Sequence, residues 1–431
     1  MRETLELLID DFHERALPEL VHRDQTLPVV ARKANAIIGM RRSGKTWFCY
    51  QRMQELISEG VEKERLLYLN FEDDRLLPFT PGDFQLILET YYRKFPAFKN
   101  TPCYLFLDEV QRIEGWDAFV RRVLDTETMA VCITGSSAKF LSKEIATALR
   151  GRSLTTEIFP FSYAEFLTSQ GVDLSSGKRP GSKAKAVLQN LVGKYVEIGG
   201  FPEVQSLDEE LRRQVLRTYL DVVILRDVVE RYAVNNVGAL RALIRHVLAA
   251  PATRFSVNKF YNAVKSQGLT CTKNNLYDFL EYLSDAFLFY QVPIHSRSER
   301  VKRVNPSKVY VIDSAFFGII SPGRTVDQGA LLENLVYMHL RRRGLEPEYY
   351  ITDNGAEVDF LYTDPEEGRP RLIQACWDIR DPDTREREIL ALLAAMKELK
   401  VKQGTLVTWM DEDFSVKNIE ITPAWKWLLS E

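Results

Sequence analysis

The stretch Gly39-Met40-Arg41-Arg42-Ser43-Gly44-Lys45-Thr46 decides the fold of the first part of this 431-residue chain. It follows the apolar run Ala34–Ile38, which resembles a buried strand, and it leads into a helix-compatible segment at 47–59. A glycine, four residues and Gly-Lys-Thr between a strand and a helix form the pattern of a phosphate-binding loop. Glycines let N–H groups point inward at an anion, and the helix start adds unpaired donors. We therefore predict that the loop binds a nucleoside triphosphate, with Lys45 on the β- and γ-phosphates and the Thr46 hydroxyl on Mg²⁺.

The overall composition does not point to one class of partner. The chain is 45% hydrophobic, which is enough for packed cores, and its net charge of −3 gives no general attraction to nucleic acid or membrane. Any basic surface for a partner must therefore be local. The cysteines are odd in number and include no Cys-x-x-Cys pair, which argues against a disulfide framework or a zinc site. They are Cys49, Cys103, Cys132, Cys271 and Cys376.

The sequence also predicts a cytoplasmic location and no membrane partner. The N-terminal residues Met1-Arg-Glu-Thr-Leu-Glu are charged and lack the apolar core of a signal peptide. No apolar run approaches the length needed to cross a bilayer. Scattered, unpaired cysteines are typical of proteins in a reducing compartment.

Strand-like and helix-like segments alternate through the first third of the chain. This alternation predicts an α/β fold with a parallel sheet whose two faces are covered by helices. Ligands of such sheets bind at the carboxyl ends of the strands, where the phosphate loop begins. The predicted strands are the apolar runs 34–38, 66–71, 104–107 and 130–133, and the predicted helices are 3–20, 47–59, 81–95, 118–124 and 138–149.

Two acidic residues, Asp108 and Glu109, close the strand predicted at 104–107. Four apolar residues followed by Asp-Glu, downstream of a phosphate loop, are typical of nucleoside triphosphatases. We expect Asp108 to hold Mg²⁺ together with Thr46, and Glu109 to orient and deprotonate the attacking water. The alternative is a pair of ordinary solvated carboxylates at a strand end.

Two further polar residues are candidates for catalysis. Ser136, or Thr134, follows the next strand and could contact the γ-phosphate or the water, although Gly-Ser is also common in simple turns. Arg152 lies downstream of the helix that leaves this strand and could stabilise charge on the transferred phosphoryl group, within the chain or across a subunit boundary. A solvated surface arginine is the alternative.

Eight motifs occur in order along the chain. They are the loop at 39–46, Tyr68-Leu-Asn-Phe-Glu-Asp73, Leu105-Phe-Leu-Asp-Glu-Val-Gln111, Gly115-Trp116, Ile133-Thr-Gly-Ser-Ser-Ala138, Gly151-Arg152, Phe159-Pro-Phe-Ser162 with Glu165-Phe166, and Gly199-Gly-Phe-Pro-Glu203. Together they resemble the prokaryotic AAA-type ATPases whose C-terminal half carries a winged helix and a restriction-endonuclease-like domain. The resemblance implies an AAA+ core, ATP with Mg²⁺ as the nucleotide, and association with double-stranded DNA.

We predict four segments on this basis. Residues 1–168 are the P-loop ATPase core, and residues 169–238 are a connector and a helical lid region. A winged helix-turn-helix follows at 239–325, and the restriction-endonuclease-like α/β domain occupies 326–431. Within the second segment, the polar stretch 167–194 is the predicted connector, and 211–232 is a predicted long amphipathic helix.

The winged-helix prediction rests on three helical segments, at 239–249, 257–267 and 273–282, followed by two strand-like segments. Cations cluster between the strands, and polar residues begin the third helix, an arrangement that suits contacts to phosphates and base edges. A winged helix that only packs on neighbouring domains is the alternative. The candidate DNA contacts are Lys273, Asn274, Arg297, Arg300, Lys302 and Arg303, with Lys308 as a further cation of the same region.

The last segment looks like the restriction-endonuclease fold. Nucleases of that fold use an acidic cluster for Mg²⁺ and a lysine that positions water. The matching positions are Glu333, Asp359, and Gln374-Ala375-Cys376 in place of Glu-x-Lys. Because Gln374 lacks a charge and Cys376 lacks an ammonium group, we expect a degenerate nuclease site in a binding or assembly module.

The leading hypothesis is an ATPase that couples its nucleotide state to movement of C-terminal modules on DNA. The alternative is a nucleotide-gated switch that binds a protein partner and has no role on DNA. The sequence leaves a homo-oligomer open in both cases.

Overall fold

The chain divides into two units, Met1–Phe159 and Pro160–Glu431, in a computed structural model. The structure describes residues 1–28, 30–135, 142–174, 181–320, 327–411 and 414–430. The candidate sensor Ser136 lies outside the described residues, as does part of the connector predicted at 167–194. The predicted divisions at 239 and 326 fall inside the second unit, where they stay predictions.

A five-stranded sheet in the order β2-β3-β4-β1-β5, with every pairing parallel, forms the centre of the first unit. The predicted parallel α/β core is thereby confirmed. The fifth strand was not predicted, because Ser153-Leu-Thr-Thr-Glu157 has no apolar run and lies half-exposed at the edge of the sheet. The strands are β1 Ala34–Ile38, β2 Leu66–Asn70, β3 Cys103–Asp108, β4 Met129–Thr134 and β5 Ser153–Glu157.

The helices of the first unit bury one apolar side each. The first one buries Leu5, Ile9 and Phe12, but it ends at Glu14 and does not extend to residue 20 as predicted. Phe12 joins Phe48, Tyr68 and side chains of the central strands in one apolar core. The helices are α1 Arg2–Glu14, α2 Lys45–Ser58, α3 Phe84–Lys94, α4 Trp116–Thr126 and α5 Ser142–Ala148.

The second unit begins with helices. One of them, Ser182–Ile198, occupies part of the segment predicted as a polar connector, because its buried residues Leu188, Val192 and Tyr195 recur at helical spacing. The long helix predicted at 211–232 is present and continues from α8 as a π-helix over Val223–Glu230. The helices are α6 Tyr163–Ser169, α7 Ser182–Ile198, α8 Glu209–Val222, α9 Val237–Ala249, α10 Val257–Ser266 and α11 Lys273–Asp285.

Two sheets follow in the second unit. The antiparallel pair β6 Phe289–Val292 and β7 Lys308–Val311 comes after the three predicted helices, but the connection between these strands contains helix α12 Glu299–Val304. The winged-helix identity of this segment stays a prediction. The second sheet has the order β12-β11-β10-β9-β8, antiparallel through β8, β9 and β10 and parallel from β10 to β12.

The elements of the last part of the chain agree with the predicted order, except that the final strand and the final helix were not predicted. Within the described ranges, no helix is long and apolar enough to cross a membrane. The elements are α13 Phe317–Ile320, α14 Gln328–Arg342, β8 Glu348–Ile351, β9 Glu357–Thr363, β10 Pro370–Cys376, α15 Pro382–Leu399, β11 Gly404–Thr408, β12 Ile419–Pro423 and α16 Ala424–Trp427.

The turn after α7 packs against a buried carboxylate. Asp313 accepts hydrogen bonds from the backbone N–H groups of Gly200, at 2.7 Å, and Ala315, at 2.9 Å. Burial raises the pKa of Asp313 to about 6, although the two N–H groups lower it. Gly199 has φ 77° and ψ −175°, a conformation open to glycine, and a Cβ there would lie 2.1 Å from Asp313 Oδ1.

We predict that Gly199→Ala lowers the free energy of unfolding by about 3 kcal/mol, because it combines a strained backbone with a steric clash at Asp313. Gly268→Ala is the matched control, since Gly268 has a similar φ of 73° but open space around its Cα. The control should lose only about 1 kcal/mol. Denaturant unfolding followed by circular dichroism measures both, and equal losses would contradict the steric argument.

Candidate nucleotide-binding site

The backbone of the loop 39–46 curls at the carboxyl end of β1 and enters α2. Gly39 has φ 135°, and a Cβ there would lie 2.2 Å from Ile158 O, so this position requires glycine. Gly44 has φ 101° and is the residue that precedes the first turn of α2. The Ser43 hydroxyl is buried in the loop and has no hydrogen-bond partner among the described residues. A buried, unpartnered hydroxyl in an anion-binding loop is a donor that a phosphate oxygen would satisfy.

Lys45 places its ammonium group under the curl of the loop. Its Nζ donates to Gly39 O at 3.0 Å and to Met40 O at 2.9 Å, and the residue is 6% exposed. A buried cation at the positive end of a helix creates a strong local preference for an anion. This geometry is consistent with the predicted role of Lys45, which is to bind a phosphate group.

Asp108 lies at the end of β3, next to the loop, and is 1% exposed. Thr46 Oγ1 donates to Asp108 Oδ2 at 2.8 Å, and Tyr68 donates to the same oxygen at 3.0 Å. Thr134 Oγ1 donates to the other oxygen, Oδ1. Burial raises the pKa of the Asp108 carboxyl, although hydrogen bonds from Thr134, Thr46 and Tyr68 counteract part of this shift.

The donor set around Asp108 suits Mg²⁺, which prefers oxygen ligands and keeps several waters or phosphate oxygens. Thr46 and Asp108, the two predicted ligands, are in direct contact. Among the described residues, no group of three or more His, Cys, Asp or Glu side chains could hold a metal ion. A cation at Thr46 and Asp108 would therefore share its coordination with the phosphates of a nucleotide.

Glu109 follows Asp108 with φ 52°, a left-handed conformation that turns its side chain out of the line of the strand. Its backbone N–H donates to Thr134 Oγ1 at 3.1 Å. Its carboxylate accepts from Gln111 Nε2 at 2.5 Å. Thr134 thus fixes the positions of both acidic residues, and Gln111 orients Glu109.

Three side chains at the site were not predicted as site residues. Tyr68 and Gln111 belong to motifs of the family resemblance, but their contacts depend on which strands are neighbours. Arg23 is buried, and its guanidinium donates to Ser43 O at 3.1 Å and to Phe159 O. A single arginine in the polar segment before β1 carries no sequence signal for this role.

Arg152 lies at the opposite edge of the sheet from the phosphate loop. It immediately precedes β5, and its carbonyl accepts from the N–H of Ala34 at the start of β1. Its guanidinium pairs with Asp125 at 2.5 Å. The predicted role of Arg152 in the site of its own chain is therefore wrong, because the length of β1 separates it from Lys45. A role in a neighbouring subunit stays a prediction.

The candidate DNA contacts lie in the second unit and differ in exposure. Lys273 and Asn274 are exposed in the first turn of α11. Arg297, Arg300 and Arg303 are exposed in or next to α12.

The other two cations of that region are held by carboxylates. Lys302 forms an ion pair with Glu348 at 2.5 Å. Lys308 is 3% exposed, so its predicted place on the surface is wrong.

The candidate nuclease residues only partly converge. Glu333 and Asp359 both contact Lys308, at 2.7 and 2.9 Å. Gln374 accepts from the N–H of Asp359 at 3.1 Å and donates to Glu388 at 2.6 Å. Cys376, the last residue of β10, packs in an apolar core, and burial raises its pKa to about 12.

Three regions of the chain match known protein families. Residues 31–167 match an AAA domain, which includes the phosphate loop, Asp108 and Glu109. Residues 189–322 and 328–427 match two domains of unknown function, DUF8612 and DUF4143. The parallel sheet, the phosphate loop and the AAA match together define the first unit as a P-loop domain of the AAA class.

The whole chain also has relatives. It is 35% identical to the uncharacterized protein MJ1544 of Methanocaldococcus jannaschii, across 99% of this chain and 95% of that protein. The chain therefore belongs to the same family as this archaeal protein. An uncharacterized protein of Haemophilus influenzae is 29% identical over 75% of this chain and 78% of its own length. Among solved structures, the Walker-type ATPase PABY2304 of Pyrococcus abyssi superposes with a TM-score of 0.41 at 11% identity, covering 74% of this chain and 95% of that one.

The buried carboxylate of Asp108 generates a prediction about pH. Because its pKa is raised in the folded chain, the native state holds this proton to higher pH than the unfolded state does. The contribution of Asp108 to stability therefore falls as the pH rises from about 4 through its native pKa. An asparagine side chain cannot titrate, so the variant Asp108→Asn does not lose this contribution. In nucleotide-free protein, the thermal midpoint of Asp108→Asn minus that of wild type should therefore increase with pH across this interval.

Differential scanning fluorimetry of both proteins from pH 5 to pH 9 measures this difference. Glu114→Gln, a change at an exposed carboxylate, controls for loss of a surface charge. A gain that stays constant with pH would show that Asp108 does not titrate as described.

Proposed function

We propose that this protein binds ATP with Mg²⁺ at the loop 39–46 and hydrolyses it to ADP and phosphate. The observation that carries the proposal is the 2.8 Å hydrogen bond from Thr46 Oγ1 to Asp108 Oδ2 beside the buried ammonium of Lys45. It joins the two predicted Mg²⁺ ligands at the carboxyl edge of a parallel sheet, where such domains bind nucleotides. The match of residues 31–167 to an AAA domain supports the same activity.

Each residue has a defined role in this proposal. Lys45 and the loop N–H groups bind the β- and γ-phosphates, and Thr46 and Asp108 hold Mg²⁺, which neutralises charge on the phosphates. Glu109 orients the attacking water and accepts its proton. Thr134, the second of the two sensor candidates, holds Asp108 and the backbone of Glu109 together.

We predict that binding and hydrolysis can be separated by mutation. Lys45→Ala should abolish measurable ATP binding and lower turnover about 100-fold or more, because it removes the cation beneath the phosphates. Glu109→Gln should retain ATP binding but lower turnover about 100-fold or more, because it removes the base. Calorimetry measures binding, and phosphate release measures turnover.

Lys99→Ala is the matched control for the lysine change. Lys99 is an exposed cation that pairs with Glu127 ahead of β3, at the amino edge of the sheet. It should leave binding and turnover unchanged. Wild-type turnover in Lys45→Ala, or loss of binding in Glu109→Gln with its fold intact, would contradict the assigned roles.

We further propose that the nucleotide state acts on the second unit and that this unit contacts the phosphates of double-stranded DNA. The support is local charge. Arg297, Arg300 and Arg303 form an exposed cationic group, whereas α11 carries one lysine against Asp278, Glu281 and Asp285. An acidic helix is poorly suited to the major groove, so we expect contact to the DNA backbone without strong sequence preference.

We predict that neutralising all three arginines with alanine flattens the salt dependence of DNA binding by about 3 in the slope of log K against log salt. The control changes three exposed lysines of the same unit, Lys183, Lys194 and Lys402, so that the loss of charge is equal. Fluorescence anisotropy with a random duplex measures both slopes. If the wild type does not bind the duplex at low salt, the alternative function, a nucleotide-gated switch for a protein partner, replaces DNA association.

A further inference from the structure

Lys308 lies at the start of β7 with its ammonium group surrounded by three carboxylates. Its Nζ is 2.6 Å from Glu357 Oε1, 2.7 Å from Glu333 Oε1 and 2.9 Å from Asp359 Oδ1. The lysine side chain is 4% exposed. The three acids come from the first residue of β9, the middle of α14 and the third residue of β9.

Each acid around Lys308 also accepts from a second donor. Tyr310 donates to Glu333 Oε1 at 2.6 Å, and the N–H of Ala375 donates to Asp359 Oδ2 at 3.0 Å. Arg254 pairs with Glu357 Oε2 at 3.1 Å. Each of the three carboxylates therefore has a second donor besides Lys308, which is the condition under which buried charges are tolerated.

Burial lowers the pKa of the Lys308 ammonium, but Asp359, Glu333 and Glu357 outweigh this effect and raise it well above the ordinary value. The three acids thus favour the charged form of Lys308. Burial raises the pKa of Glu333, as does the neighbouring Asp359, and Lys308 counteracts both.

Acidic side chains that converge in this way from a helix and a strand are what metal-dependent nucleases use to hold a divalent cation. Here an ammonium nitrogen lies within hydrogen-bond distance of one oxygen from each acid. A divalent ion at the same point would need these oxygens at about 2.1 Å for Mg²⁺ or about 2.4 Å for Ca²⁺. Lys308 and such an ion cannot be present together, because both need the same oxygens and both are cations.

We propose that Lys308 occupies the position of the metal ion in this acidic cluster and closes the cluster to divalent cations. The lysine is a permanent internal counter-ion, fixed by its own strand, and the second unit performs no metal-dependent phosphodiester chemistry at these residues. The proposal is independent of the nucleotide site, which belongs to the first unit.

The direct test is a Mn²⁺ titration of the full chain without nucleotide, followed by electron paramagnetic resonance of the free ion. Wild type and Asp359→Asn should take up the same amount of Mn²⁺, because Asp359 is already neutralised by Lys308. Lys308→Ala should take up one additional Mn²⁺ per chain, and Lys308→Ala combined with Asp359→Asn should lose that additional uptake. Lys302→Ala is the matched control, since it removes a cation from Glu348 and should add no uptake.

A second measurement keeps the proposal testable if Lys308→Ala is unstable. The thermal midpoint of that variant should be lower than that of wild type without metal, and Mn²⁺ should raise it by several degrees while leaving wild type unchanged. Two results would overturn the proposal. One is uptake of Mn²⁺ by wild type that Asp359→Asn removes, and the other is Lys308→Ala protein that neither binds Mn²⁺ nor is stabilised by it.

Discussion

The hydrogen bond between Thr46 and Asp108 is the contact on which the proposed nucleotide site of the first unit depends. It joins the first turn of α2 to the end of β3, through two residues that are 62 positions apart in the sequence. A buried carboxylate is costly unless donors surround it, and three hydroxyl groups provide them here. Lys45, the residue before Thr46, donates to the loop carbonyls of Gly39 and Met40.

The second unit contains a buried lysine that is paired directly with acidic side chains. Lys308 and the acids around it are paired directly, so little of their charge is available to a ligand. Lys45 donates to loop carbonyls, whereas Lys308 is surrounded by three carboxylates.

Much of the first unit could be predicted from sequence, because its inner strands are apolar runs and its loop has fixed spacing. Strand β5 could not, since a half-exposed edge strand has no buried pattern. Thr46 and Asp108 could be named from the loop pattern and the acid at the strand end, and they are in contact. Thr134 could be named only as one of two sensor candidates, and its contacts, like those of Tyr68, depend on the order of the strands. The placement of Arg152 failed because sequence distance does not show at which edge of a sheet a residue lies. The prediction for Lys308 failed because it counted only the charge. The apolar residues Val309, Tyr310 and Val311 that follow are typical of a buried strand, and all four residues of β7 are buried.

The position of Lys308 in β7 has a consequence for how this protein can be divided and how it can have evolved. A fragment cut at residue 325 would retain the lysine and lose Glu333, Glu357 and Asp359, and the complementary fragment would retain three acids with no ammonium among them. Each fragment would therefore bury or expose charges that are paired with the other fragment in the full chain. A fragment joined to a sequence without the matching charges would leave the same charge unpaired.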